Sequence, residues 1–103
     1  LTIGLGMALV GMPARAQTPG LYYAWRPIDA DIVTCLDRST SALNAEGLSN
    51  IQVEGNSVAG TTDDSTAVFV CLDNPDTMTV MIMVSSNDDD TAFDLRETLK
   101  ENF

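Results

Sequence analysis

Residues 66–85 read Thr-Ala-Val-Phe-Val-Cys-Leu-Asp-Asn-Pro-Asp-Thr-Met-Thr-Val-Met-Ile-Met-Val-Ser. Two apolar runs flank Asp73-Asn74-Pro75-Asp76, a strong turn sequence, so the stretch predicts a β-hairpin. The first run, Thr66 to Leu72, is apolar on both faces, as expected of a central strand covered on both sides. The second, Thr77 to Ser85, alternates. Met78, Val80, Ile82 and Val84 share one face; Thr79, Met81, Met83 and Ser85 share the other. Upstream, Asn50 to Glu54 alternates through Ile51 and Val53. It is expected to continue past Gly55 and Asn56 to Val58, with a bend or bulge at the glycine. Thr61 to Ser65 is polar, with Asp63-Asp64 as its turn.

Helices flank these strands. From about Ala30 to Glu46, residues Ile32, Cys35, Leu36, Ser39, Ala42 and Leu43 recur at spacings of three and four, which places them on one face. Asp29 or Asp31 can cap this helix, because a carboxylate accepts from the free N–H groups of a first turn. Gly47 suits the left-handed residue after the helix, with Leu48 folding back onto Leu43 as in a Schellman motif. A last helix is expected from about Asp89 to Glu101. Ser86, Asn87 and Asp88 are its candidate caps, and Ala92, Leu95, Leu99 and Phe103 form its apolar stripe, with Phe93 beside it. Its aspartates lie at the positive end of the helix dipole, and Arg96 and Lys100 lie towards the negative end.

The order (β)-α-β-β-β-α makes this an α+β domain. A three-stranded antiparallel meander is expected, with the N-terminal aromatic segment as an optional fourth, edge strand. Both helices should pack on one face of it. The length of 103 residues allows one domain. Leu1 to Met12 is a short apolar run followed by Ala14-Arg15-Ala16, a tripeptide of the kind signal peptidases accept. Residues 1–16 therefore read as a signal peptide that lacks its basic N-terminal part. Twelve apolar residues are too few to span a bilayer. Residues 17–28 are then an N-terminal arm and 29–103 the domain, in a periplasmic or secreted protein.

In that compartment the two cysteines, Cys35 and Cys71, are expected to pair. A disulfide between them would stabilise the fold by roughly 3–4 kcal/mol on the chain-entropy model. It would also set the phase of the central strand. Ala67, Phe69 and Cys71 would face the helices, and Val68, Val70 and Leu72 would point away. In the neighbouring strand either Met81 and Met83 or the Val80, Ile82 and Val84 row joins them. That leaves an apolar sheet face for the Tyr22-Tyr23-Ala24-Trp25 arm, a second copy or a partner to cover.

The composition excludes more than it assigns. Fifteen acidic residues stand against five basic ones, for a formal charge of −10. Nucleic acid and anionic membrane surfaces repel such a chain, and a basic partner attracts it. No histidine is present, so the commonest general base is missing. No nucleophile elbow or phosphate-binding glycine loop occurs. No cofactor is expected. Asp63-Asp64, Asp73 with Asp76, and Asp88 to Asp90 with Asp94 lack the alternating ligands of a calcium loop. Caps and turns account for them. Met81 and Met83, with Met78 near, have the softness that copper(I) prefers, yet methionine also fills irregular cores. Tyr22, Tyr23, Trp25 and Arg26 are residue types found at binding hot spots, and they serve equally to plug a sheet face.

The element order resembles, at the level of fold alone, the first part of the secretion-chaperone-like domains. These use a sheet face to dimerise or to hold a peptide, but no motif residue carries the likeness further. The expectation is a non-enzymatic exported module that binds another protein or itself through Val68, Val70, Leu72, Met81 and Met83, in the manner of an inhibitor or immunity protein. The alternatives are a metal-binding exported protein and, less favoured, a small enzyme.

Overall fold

A computed structural model of the chain describes residues 20–103; the segment read as a signal peptide, and residues 17–19 of the arm, lie outside the described residues. The elements in order are β1 (Gly20–Ile28), α1 (Ile32–Ala45), β2 (Ser49–Glu54), β3 (Ser57–Thr61), β4 (Ser65–Asp73), β5 (Met78–Ser86) and α2 (Asp89–Asn102). The sheet has five strands in the order β1-β5-β4-β3-β2, and every neighbouring pair is antiparallel.

The α+β class and the central hairpin agree with the sequence; the strand count does not. The run expected to bend at Gly55 instead reverses there. Gly55 has φ +61°, and Gly55-Asn56 is a two-residue turn between the paired residues Glu54 and Ser57. A positive φ at the first central residue alone is the pattern of a type II′ turn, whose twist matches that of the flanking strands. One bent strand thus becomes two. The aromatic segment, expected as an arm or as an optional edge strand, is the edge strand β1, hydrogen-bonded to β5 from Gly20 to Ile28, so it belongs to the same sheet as the rest.

Capping fixes both helices. The Asp31 side chain accepts from the Thr34 N–H at 2.8 Å. At the other end Leu48 N–H donates to the Leu43 carbonyl and Gly47 N–H to that of Asn44, both at 3.1 Å. Gly47 has φ +79°, so the Schellman motif read from Gly47 and Leu48 is present. For α2 the cap is Asp88, which accepts from the backbone N–H and the hydroxyl of Thr91 at 3.0 and 2.7 Å.

Helices α1 and α2 lie on the same face of the sheet, α2 against β1 and β5, α1 against β2, β3 and β4. Between them and the sheet sits one core, including Leu43, Val58, Phe69, Val80, Ile82, Val84 and Leu99. The disulfide Cys35–Cys71 crosses this core and joins α1 to β4. Both cysteines are fully buried, as is Ser39, whose hydroxyl donates to the Cys35 carbonyl at 2.8 Å. Such a bond indicates an oxidising, non-cytoplasmic compartment. No helix among the described residues is long and apolar enough to cross a membrane.

Candidate functional site

The disulfide decides which residues look away from the core. With Cys71 facing α1, the alternation of β4 turns Thr66, Val68, Val70 and Leu72 outward. The strand was read as covered on both sides, but the structure covers the Ala67, Phe69 and Cys71 side only. Register then carries the phase across the sheet. Val68 pairs with Met83 and Val70 with Met81; Met83 pairs in turn with Tyr23, and Met81 with Trp25. Of the two rows left open for β5, the methionines join the open face, while Val80, Ile82 and Val84 are buried beneath the helices. Met78 is buried with them and lies apart from Met81 and Met83.

The open face can be written as rows across the strands. One runs Tyr23, Met83, Val68, Ala59, Gln52; the next runs Trp25, Met81, Val70, Ser57, Glu54. Leu21 opposite Ser85, and Thr79 between Pro27 and Leu72, flank them. The apolar part therefore lies over β1, β5 and β4, and the β2 side is polar. Its extent is roughly 15 by 25 Å, from strand spacing and rise. That is on the order of the largest apolar patch of an ordinary monomer, which is often functional.

Tyr23 and Trp25 dominate it. Their rings stack at 5.9 Å between centroids and 10° between planes, yet they are 55% and 60% exposed. Covering the exposed part of either ring would contribute about 2–3 kcal/mol. Tyr22, grouped with them in the sequence, sits on the opposite side of β1, edge-on to Phe93 of α2 at 6.3 Å. Of the three possible covers for the open face, the N-terminal segment does not serve: paired to β5, it widens that face. Leu21, 63% exposed, belongs to the face and was not singled out in the sequence. The period-two series Leu21, Tyr23, Trp25 is the signal that finds it.

Charge surrounds the patch without entering it. Asp63 and Asp64 in the β3–β4 turn lie beside Asp88 to Asp90, since Asn87 N–H donates to the Asp64 carbonyl at 3.1 Å. At the far end Asp29, Asp73 and Asp76 line a shallow hollow of about 440 Å³ with Pro27, Asn74 and Pro75. A smaller hollow, of about 230 Å³, lies at the Asp63-Asp64 end. Among the described residues no three His, Cys, Asp or Glu side chains converge.

The four cations of residues 20–103 are held elsewhere. Arg38 Nε and Nη2 donate to the Phe103 carbonyl at 3.1 and 2.6 Å, with the guanidinium 4.3 Å from the Phe103 ring centroid. Arg26 Nη1 donates to the Lys100 carbonyl at 3.2 Å. Both groups thus neutralise the negative end of α2. Arg96 spans α2 and β1, donating to the Tyr23 carbonyl at 3.2 Å and to Glu97 at 2.6 Å. This guanidinium hydrogen bond, assisted by Lys100, holds the Glu97 carboxyl below its usual range.

No protein-family model matches the chain, and no curated protein matches it. The chemistry of the face is that of apolar contact: thioethers, aliphatic groups and two aromatic rings, with carboxylates beyond both ends.

Proposed function

We propose that this protein is an exported, non-enzymatic binding module, periplasmic or secreted, whose open sheet face is the contact surface for another polypeptide. The observation that carries the reading is a sheet face with no layer of the described residues over it, on which Tyr23, Trp25 and Leu72 are exposed and Val68, Val70, Met81 and Met83 half-buried, opposite a fully built core. Helices cover one side of the sheet, and a two-layer domain exposes large aromatic side chains on the other only at a cost in solubility. Aromatic and methionine side chains are also the types enriched at interfaces. The acidic ends favour basic partners and disfavour nucleic acid and anionic membranes. An inhibitor or immunity-type role is one form such a module takes.

A photo-crosslinking residue at position 68, on the open face, tests this against one at position 33. Val33 is 63% exposed but lies on α1. Adducts with exported proteins, or with a second copy, are expected from position 68 alone. Equal adducts from both positions, or none from position 68, would remove the reading.

One observation favours a second reading, a soft-metal site: Met81 and Met83 share the open face, with Trp25 and Tyr23 directly opposite them. Copper(I) would then raise the melting temperature of the wild type and leave a Met81→Leu, Met83→Leu variant unchanged.

A further inference from the structure

We propose that the occupant of the open face is a basic amphipathic helix of another protein, apolar along one side and carrying Lys or Arg near both ends. The inference rests on the reading of that face as a binding surface and names the chemistry of its partner.

Three observations carry it. The first is charge. Asp63 and Asp64 are exposed in the turn beyond one end of the face, and Asp29 and Asp76 beyond the other; Asp73, Asp89 and Asp90, also exposed, stand at the same ends towards the helix side. Among the described residues every cation is engaged at the end of α2 or along it, on the helix side of the sheet. A second copy docked with its strands roughly aligned, one of the two common ways sheets pack, has two directions available. Either direction then sets carboxylates against carboxylates.

The second is area. A stable interface takes about 800 Å² from each partner, roughly twice what an apolar patch of 15 by 25 Å offers. The remainder must come from the polar β2 side and from the two ends, and the ends are acidic. A partner that is basic at both ends gains there; a second copy loses.

The third is hydrogen bonding. The backbone groups of β5 and β4 are committed to the ladders of the sheet, and the free groups of the edge strand β1 lie in the plane of the sheet, not on this face. An extended peptide laid across it would leave its own N–H and C=O groups without partners. A helix satisfies its backbone internally and needs only side-chain contact. Nine-residue strands such as β4 and β5 are about 30 Å long, the length of a helix of about 20 residues.

The test uses a 20-residue helical peptide with Leu along one face and Lys in its first and last turns, and a twin in which Glu replaces each Lys. Binding to the oxidised protein is read from Trp25, the one tryptophan of the chain, and by calorimetry. The Lys peptide is expected to bind, to shift Trp25 emission to the blue and to weaken as salt is raised. The Glu peptide is expected to bind at least about tenfold more weakly. Met81→Asp should reduce binding of the Lys peptide by a similar factor, read by calorimetry. Tyr23→Ser, on the exposed edge strand, gives an independent variant should the first fail to fold.

Equal binding of both peptides, lost in the face variants, would overturn the charge preference and leave the face as a binding surface. Binding of the Lys peptide that survives both face variants would overturn the proposal and the reading of the face together. Binding of neither peptide, with a dimer by light scattering, would overturn the proposal in favour of a second copy. Binding of neither by a clean monomer would also overturn it.

Discussion

Asn50 is the residue most strained by its place in the fold. Its φ of +53° lies in the left-handed region, and it stands with Ile51 where two residues of β2 oppose one of β3. Such a bulge needs a left-handed first residue, and asparagine is the commonest substitute for glycine there. Asn50→Gly is expected to be neutral or mildly stabilising. Asn50→Val should lower stability by about 1–2 kcal/mol, read from the urea midpoint. Cys35 and Cys71 matter through the unfolded chain. Replacing both with serine is expected to cost roughly 3–4 kcal/mol. In the Cys35→Ser single variant the remaining thiol is buried, so it should react with a thiol reagent only as fast as the protein opens. Rapid labelling under native conditions would contradict the placement of Cys71. Some of this scale was legible. Two cysteines in a chain read as exported predicted the bond, and the bond, with Cys35 on the apolar helix face, predicted the outward set Val68, Val70 and Leu72. The division of Tyr22 from Tyr23 was not drawn, because adjacent aromatics were read as a cluster when strand alternation separates them by a whole sheet thickness.

At the scale of elements, the caps set the response to acid. The Thr34 N–H, bonded to Asp31, lowers the pKa of that carboxyl from its ordinary value of 3.8. For Asp88 the Thr91 hydroxyl has the larger effect, and the direction is the same. A carboxyl whose pKa is lower in the folded state stabilises that state above its unfolded pKa. The contribution fades as pH falls below about 4 and through the lowered folded values. The melting temperature is therefore expected to drop between pH 6 and about pH 2.5. The drop should shrink in an Asp31→Asn, Asp88→Asn variant, because asparagine caps without ionising. An unchanged drop would place the acid sensitivity elsewhere. Both helices were legible to within about two residues, since capping and the Gly47-Leu48 ending are written in local chemistry. The β2–β3 hairpin was not. Gly55-Asn56 suits a bulge as readily as a turn, and Ser57–Thr61 has only Val58 as a large apolar anchor. Pairing with β4 makes it a strand, and pairing is not a local property.

For the whole molecule, fifteen carboxylates oppose four cations within residues 20–103, a net charge of −11. The fold concentrates those cations at one helix and gathers a group of aspartates at each end of the sheet. Self-repulsion of this kind is screened by salt. The melting temperature at neutral pH is expected to rise from 10 to about 300 mM sodium chloride. A fall would mean that the ion pairs of Arg96 and Lys100 outweigh the repulsion. The excess of acid and the uncovered sheet face were visible in the sequence; the coincidence of acids at both of its ends was not, because turns distant in the chain meet only in the folded sheet. The Cys35–Cys71 link has a mechanical meaning as well. The bond spans 36 positions and encloses β2 and β3 in a covalent ring. Tension between the two ends of the oxidised chain passes from Cys35 to Cys71 through sulfur, so β2 and β3 carry no load. Stretched to rupture, the reduced chain should yield about 120 Å more contour length than the oxidised one, and the part of the sheet added by the Gly55 turn would be the last to feel a pull.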